Sequence, residues 1–165
     1  MNLQEVLLEK LQEFFRDSKV FEFMNRDVIC VTPEKTLLHV KEIMRIKRIS
    51  GVPVVDEGKR VIGIVSLEDI IKALEGNYIR ESVEKRMTKN VVCLREDDTL
   101  QDALKAFEKY GYGRFPVVNN ENKLAGIVTK HDIIYFLLTK LGLIYLHDRR
   151  MEEALERSTS LVTGE

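Results

Sequence analysis

The feature of this chain that most constrains its fold is an internal repeat with a spacing of 63 residues. The segment from Met24 to Ile71 aligns with the segment from Met87 to Ile134 over 48 positions without a gap, and 14 of the 48 pairs are identical. A gap-free match of this density indicates two copies of one structural unit, in which each copy packs against the other.

Both copies predict the same order of elements, β-α-β-β-α. Short β-branched runs indicate strands, apolar residues at helical spacing indicate helices, and polar turn residues separate them. In chain order, the predicted elements are strands at 28–31 and 91–94, helices after Thr36 and Thr99, strands at 52–55 and 115–118, strands at 61–65 and 124–128, and helices that begin at Ser66 and Thr129. The predicted class is a mixed α/β (α+β) fold with two such motifs.

Further helices are predicted on both sides of the repeats. We divide the chain into an N-terminal amphipathic helix (1–22), a first motif (23–76), a second motif (77–138) and a C-terminal helical extension (139–165). Two interpretations of the flanking helices stay open at this point. They either cover an exposed sheet or helix face, or they form a dimer contact or a connection to an output domain.

Composition excludes several classes of function. The net charge is −1 with a pI of about 6.3, whereas nucleic-acid binders carry a basic excess because phosphate neutralisation supplies most of their affinity. The apolar runs are too short to span a bilayer, and the first residues do not have the layout of a signal peptide. We therefore expect no nucleic-acid or membrane partner, and residence in the cytoplasm.

The sequence predicts neither a metal site nor an active site. Cys30 and Cys93 occupy equivalent strand positions of the two copies, which favours packing over metal binding. No nucleophile–base pair and no glycine-rich phosphate loop is present, and His131 and Asp132 are neighbours that a helix would point apart. The chain is therefore predicted not to be an enzyme.

The motif G-I-V-[ST]-x-x-D is the most informative for function, and it occurs once in each copy. It begins at Gly63 and at Gly126. Its [ST]-x-x-D part is a capping box, and spacing alone favours that structural role. The same geometry also suits a nucleotide, because a helix N-terminus attracts phosphate and an aspartate one turn later accepts hydrogen bonds from ribose hydroxyls.

The two copies together resemble a tandem pair of CBS domains, the cystathionine-β-synthase-type regulatory domain. The resemblance covers roughly Phe23 to Leu138 and rests on [VF]-P-V-V, on G-I-V-[ST]-x-x-D and on the helix before them. It implies two motifs related by a pseudo-twofold axis, with two clefts between them. It also implies an adenine-type ligand, with AMP, ADP and ATP as the first candidates and S-adenosylmethionine as a further one.

The resemblance also implies a role for individual residues. Asp69 and Asp132 match the ribose-binding aspartate of the family. Ser66 and Thr129 match the family's hydroxyl residue near the phosphate or ribose, and Ile64 and Ile127 match the apolar wall of its base pocket.

Each cleft is expected to be completed by the other motif. The Asp132 cleft would be completed by Ile49, Ser50 and Gly51, and the Asp69 cleft by Tyr112, Gly113 and Arg114. Arg114 matches a phosphate-binding arginine in some members of the family, and a solvated arginine at a strand end is an equally good interpretation. Lys130 and His131 are candidates for contacts with phosphates.

Two functions compete on this basis. The first is a sensor of adenine nucleotides in which ligand binding changes the packing of the motifs. The alternative is a ligand-independent dimerisation or interaction module, which could be a piece of a larger protein with an output domain. In both cases a homodimer is expected, and an output domain is either fused to the chain or a separate partner.

Overall fold

The computed structural model of this protein describes residues 2–142. The described residues divide between two units, Met1–Thr129 and Lys130–Glu165. The first unit contains α1 Leu3–Asp17, a 3₁₀ turn Val20–Glu22, α2 Leu37–Lys47, β1 Gly51–Val55, β2 Val61–Ser66, α3 Leu67–Glu75, α4 Val83–Arg86, β3 Leu94–Arg95, α5 Leu100–Tyr110, β4 Arg114–Val118 and β5 Leu124–Thr129. The described part of the second unit contains helix α6 Lys130–Lys140.

The last two strands of each repeat form an antiparallel hairpin. Strand β1 pairs with β2, and β4 pairs with β5, in the same register. The turn of each hairpin contains a residue in the left-handed region, Lys59 at φ 65° and Asn122 at φ 60°. The predicted class of mixed helices and strands, repeated twice, is confirmed.

The first strand of each repeat is shorter than predicted. Only Val31 in the first repeat, and Leu94 and Arg95 in the second, pair with a neighbouring strand, in parallel with β1 and β4. The cause is the proline two residues from the end of the neighbouring strand. Two residues before Val31, a parallel ladder would need an N–H group from Pro53, which has none. Pro116 ends the second ladder in the same way.

The helices begin where hydroxyl residues cap them. Thr36 Oγ1 accepts a hydrogen bond from the backbone N–H of His39 at the start of α2. Thr99 and Asp102 form a reciprocal capping box at the start of α5, as their spacing predicts. Local sequence thus fixes these helix starts.

The segment before each repeat packs on the other repeat. Residues 18–21, ahead of the first repeat, form three backbone hydrogen bonds of 2.8–3.0 Å with residues 96–100 of the second. Residues 79–83, ahead of the second repeat, form three bonds of 2.7–3.0 Å with residues 35–38 of the first. Val20 and Val83 are fully buried at these two places. Each repeat is therefore completed by chain that precedes the other.

Helix α1 lies within the segment 1–22 that is predicted to form an amphipathic helix, and it contributes no buried residue. Leu3, Leu7 and Leu8 on this helix are 83%, 66% and 58% exposed. The predicted limits of the two motifs, 23–76 and 77–138, stay predictions. Most of the predicted C-terminal extension, from residue 143 onward, lies outside the described residues.

Candidate functional site

A cavity of about 450 Å³ lies within the first unit where the two repeats meet. Its volume is in the range of small-molecule sites. Eight residues that the sequence singled out contribute to its lining: Ser50, Gly51, Ile64, Ser66, Asp69, Tyr112, Gly113 and Arg114. The structure thus brings Asp69 together with the segment 112–114, as expected from the resemblance. It also places Ser50 and Gly51 here, although they were expected in the cleft of Asp132.

Asp69 is held by the capping box at the start of α3. Its Oδ2 atom accepts hydrogen bonds from the backbone N–H of Ser66 at 2.7 Å and from Ser66 Oγ at 2.8 Å. The other oxygen, Oδ1, takes no hydrogen bond from any residue in the range 2–142. A role in capping the helix and a role in binding ribose are therefore compatible, because the cap orients the Asp69 carboxylate and uses only one of its oxygens.

The second repeat enters the cavity through the segment that begins at Met87. Thr88 and Ile64 exchange two backbone hydrogen bonds of 2.9 and 3.0 Å. The side chain of Met87 crosses Gly63, and a Cβ atom at Gly63 would lie 2.8 Å from Met87 Cγ. The glycine of the motif therefore allows close approach of a methionine, which brings Thr88 to the cavity wall.

The charged groups of the lining balance one another. Glu68 and Asp69 are acidic, whereas Lys72 and Arg114 are basic. Lys72 Nζ lies 2.8 Å from Glu68 Oε1, and this contact lowers the pKa of the Glu68 carboxyl and raises the pKa of Lys72. Arg114 Nη2 donates a hydrogen bond to Ser50 Oγ across the repeat boundary. The lining thus offers acceptors for hydroxyl groups and cations for an anion.

An aromatic cluster borders the cavity. Tyr112, which is 43% exposed, stacks on Tyr110 with ring centroids 5.6 Å apart and contacts Phe115 at 5.4 Å. The ring of Tyr112 is thereby held at the cavity wall, where a planar group can pack against it.

Sequence reasoning missed five residues that line this cavity, namely Glu68, Lys72, Thr88, Val91 and Val92. Lys72 lies three residues after Asp69, a spacing that places two side chains on one helix face, so it was open to prediction. The other repeat supplies Thr88, Val91 and Val92, and no local pattern in the sequence indicates that contact.

The remaining predicted residues are found elsewhere. Ile49 packs against the apolar core of the first repeat. Ile127 pairs through its backbone with Asn25, as Ile64 does with Thr88. Thr129 ends β5 in the first unit, whereas Lys130, His131 and Asp132 form the first turn of α6 in the second unit. The second cleft, which draws on both units, stays a prediction.

Residues 2–142 contain neither a cluster of metal-binding side chains nor a membrane-spanning helix. Among those residues, no three His, Cys, Asp or Glu side chains are grouped so as to hold a metal ion. No helix among them has the length and apolar character needed to cross a membrane.

Comparison with known proteins places this chain in a family. The family model for the CBS domain matches residues 20–76 and 80–139. This chain belongs to the CBS domain family. The two matches show a tandem CBS pair, and they include every element that lines the cavity.

Proteins of known structure have the same fold. The CBS domain pair of protein MJ0100, in complex with 5′-methylthioadenosine and S-adenosyl-L-methionine, is 28% identical with a TM-score of 0.68, covering 74% of this chain and 98% of that one. CBSX2 from Arabidopsis thaliana in complex with AMP is 25% identical with a TM-score of 0.67, covering 74% and 97%. CBS pairs in these structures therefore bind adenine-type ligands.

Curated relatives include both short and long proteins. Inosine-5′-monophosphate dehydrogenase of Methanocaldococcus jannaschii is 36% identical over 126 residues, and this chain spans only 25% of its length. A 17.7 kDa protein of Acidianus ambivalens is 33% identical over 121 residues, which are 73% of this chain and 74% of that protein. The match to the dehydrogenase covers too little of the enzyme to transfer its activity to the CBS pair.

Proposed function

We propose that this CBS pair is a regulatory module that binds an adenine nucleotide, AMP, ADP or ATP, in the Asp69 cavity. The observation that carries the proposal is the state of Asp69. Its Oδ2 atom is used by the capping box, and its Oδ1 atom, which has two lone pairs for ribose hydroxyls, has no partner within residues 2–142. S-adenosylmethionine is a further candidate, since it presents the same ribose.

The remaining lining supports the same ligand class. Ile64 and Val91 offer an apolar wall for a base, and Tyr112 adds an aromatic face. Arg114 and Lys72 offer cations for an anionic group at the other end of the ligand. The adenine-type ligands of the related CBS pairs share a base and a ribose, and two of them, AMP and S-adenosyl-L-methionine, also carry a charged tail.

Regulation would follow from the composition of the cavity wall. Ile64, Ser66 and Asp69 come from the first repeat, whereas Thr88 and Arg114 come from the second. A ligand that contacts both repeats stabilises the arrangement in which it binds by RT ln(1 + [L]/Kd). The packing of the repeats would thus report the ligand concentration to an output domain, which is either fused to the chain or a separate partner. We propose that this regulation takes place in the cytoplasm.

A thermal-shift series tests the proposed ligand class. At 100 times its Kd a ligand adds about 2.7 kcal/mol to the free energy of unfolding, which raises the Tm by about 5–10 °C for a chain of this size. We expect such a rise with at least one of AMP, ADP, ATP and S-adenosylmethionine, and none with GTP. The absence of a rise with every adenine compound contradicts the proposal.

The Asp69→Asn variant tests the role of the carboxylate. Loss of charge-assisted hydrogen bonds worth roughly 1.5–3 kcal/mol should weaken AMP binding about 10- to 100-fold in calorimetry. Asp102→Asn is a matched control, because Asp102 Oδ2 accepts from Thr99 N–H at 2.9 Å and Thr99 Oγ1 at 2.8 Å in an equivalent capping box. Equal AMP affinities for the two variants would show that Asp69 is only a helix cap.

One observation favours the alternative of an interaction module. Helix α1 exposes leucine side chains and buries none, and exposed apolar patches mark interaction surfaces. A homodimer formed through this face would be compatible with either function. Light scattering of the wild type and of Leu7→Glu tests whether this dimer forms, since a dimer through α1 should dissociate in the variant.

A further inference from the structure

One charged pair in the lining of the Asp69 cavity has no counterpart in the second repeat. Lys72 Nζ lies 2.8 Å from Glu68 Oε1 on α3, and both residues line the cavity. Their equivalents under the 63-residue repeat are Tyr135 and His131. The side chains of Glu68 and Lys72 are 73% and 59% exposed. The pair is therefore a feature of this cavity rather than of the repeated fold, and its charges are accessible to a ligand.

The start of α3 is occupied by the protein's own groups. A helix N-terminus attracts a phosphate through its free backbone N–H groups. Here the N–H of Leu67 donates to the Ser50 carbonyl at 2.9 Å, and the N–H of Asp69 donates to Ser66 Oγ at 3.3 Å. The first turn also carries two carboxylates, Glu68 and Asp69, which repel an anion. A chain of phosphates is therefore poorly matched to this end of the cavity.

The Glu68–Lys72 pair matches a tail that carries both signs of charge. An α-amino acid holds an ammonium group and a carboxylate on one carbon atom, so its two groups can contact a carboxylate and an ammonium that already touch each other. The ammonium of the ligand would donate to Glu68, and Lys72 would donate to the carboxylate of the ligand. Their mutual contact lowers the pKa of Glu68 and raises the pKa of Lys72, so both side chains are charged at neutral pH.

We propose that Glu68 and Lys72 form a subsite for an amino-acid tail, so that the cavity favours an adenosyl amino acid over an adenine nucleotide with a chain of phosphates. This inference rests on the proposed function and narrows the class of ligand to compounds such as S-adenosylmethionine. Lys72 lies about one helical turn beyond Asp69 on the same face of α3. The tail of a ligand whose ribose binds Asp69 can therefore reach the pair.

Calorimetry on the full chain tests this subsite with two matched probes. S-adenosylhomocysteine and 5′-methylthioadenosine share the adenosyl thioether, and only the first carries the amino-acid tail. We expect wild-type protein to bind S-adenosylhomocysteine about 4- to 25-fold more tightly than 5′-methylthioadenosine, from two exposed ion pairs. Glu68→Gln and Lys72→Gln should each reduce this ratio about 2- to 5-fold, because each removes one of those pairs.

The Glu68→Lys variant separates charge selection from a structural effect. It should weaken binding of S-adenosylhomocysteine about 2- to 5-fold and strengthen binding of ADP by about the same factor, because a repelling carboxylate becomes a cation. Damage to the cavity would weaken both ligands. Glu42→Lys is the matched control, since Glu42 pairs with Arg45 at 2.8 Å on α2 and does not line the cavity. The control should change neither affinity by more than about 2-fold.

Three results would each overturn this inference while the proposed function stands. In the first, wild-type protein that binds an adenine compound does not bind S-adenosylhomocysteine more tightly than 5′-methylthioadenosine. In the second, Glu68→Gln and Lys72→Gln keep the wild-type ratio. In the third, Glu68→Lys changes the affinities for S-adenosylhomocysteine and ADP in the same direction. Wild-type protein that binds no adenine compound overturns the inference and the proposed function together.

Discussion

Gly63→Ala is expected to destabilise this protein by about 1–3 kcal/mol, the usual cost of an overpacked interior. The new methyl group would lie 2.8 Å from Cγ and 3.2 Å from Cβ of Met87. A Met side chain can rotate its outer atoms away, but its Cβ atom moves only with the backbone. That backbone is held by the two hydrogen bonds between Ile64 and Thr88.

The assay is thermal and urea unfolding followed by circular dichroism. For a chain of this length, 1–3 kcal/mol corresponds to a fall in Tm of about 2–12 °C. Gly113→Ala is the matched control, because among residues 2–142, apart from Gly113 and its two chain neighbours, no atom lies within 4 Å of the position of its added methyl group. The control should change the free energy of unfolding by less than about 0.5 kcal/mol.

A double-mutant cycle identifies the contact that is responsible. Met87→Ala alone leaves a cavity and destabilises, but in the Gly63→Ala background it also removes the clash, so the two changes should couple by about 0.5–3 kcal/mol. A Gly63→Ala protein as stable as the wild type, or a cycle with no coupling, would refute the role of Gly63 in seating the second repeat. Because Ile64 and Thr88 both line the cavity, the variant should also weaken AMP binding.

Two further predictions concern pH. Burial raises the pKa of the Cys93 thiol from 9.0 to about 11. In a Cys30→Ser variant, alkylation of Cys93 at pH 8 should therefore be far slower in the native protein than in a denatured control. Equal alkylation rates would contradict this prediction. The same shift means that stability from the buried neutral thiol is present below pH 9 and is lost as the pH rises toward 11. Hydrogen bonds from the Thr99 backbone and side chain lower the pKa of Asp102 below 3.8. Asp102→Ala removes the hydrogen bonds that this N3 residue accepts in the capping box, so it should cost about 1 kcal/mol at neutral pH and progressively less as the pH falls below 3.8 in urea titrations. A difference in stability that does not depend on pH would exclude the charged form of Asp102 from this role.

The sequence by itself determined the features that have a local or periodic cause. The 63-residue repeat, the two hairpins and the helix starts at Thr36, Thr99 and Ser66 follow from spacing, turn residues and capping chemistry, and the structure confirms them. The shortened first strands also have a local cause, since Pro53 and Pro116 lack the N–H group that the ladder needs. The two prolines therefore explain, from the sequence itself, why the predicted strands at 28–31 and 91–94 are too long.

The resemblance to CBS pairs named in advance eight of the residues that line the cavity. It named Asp69 together with Tyr112, Gly113 and Arg114, and the structure brings these residues to one cavity. It assigned Ser50 and Gly51 to the other cleft. Gly51 lies against Arg114 where the two repeats meet. Gly51 therefore lines the cavity of Asp69, which the resemblance had assigned to the segment 112–114 alone.

Only the tertiary structure decided which segment of the chain packs against each repeat and completes it. Residues 18–21 bond to the second repeat and residues 79–83 to the first, and Thr88, Val91 and Val92 reach the cavity through the same exchange. These contacts join segments tens of residues apart through backbone N–H and C=O groups, which every residue except proline carries. Backbone hydrogen bonds between distant segments leave no residue pattern in the sequence, so their partners become visible only when the chain is folded.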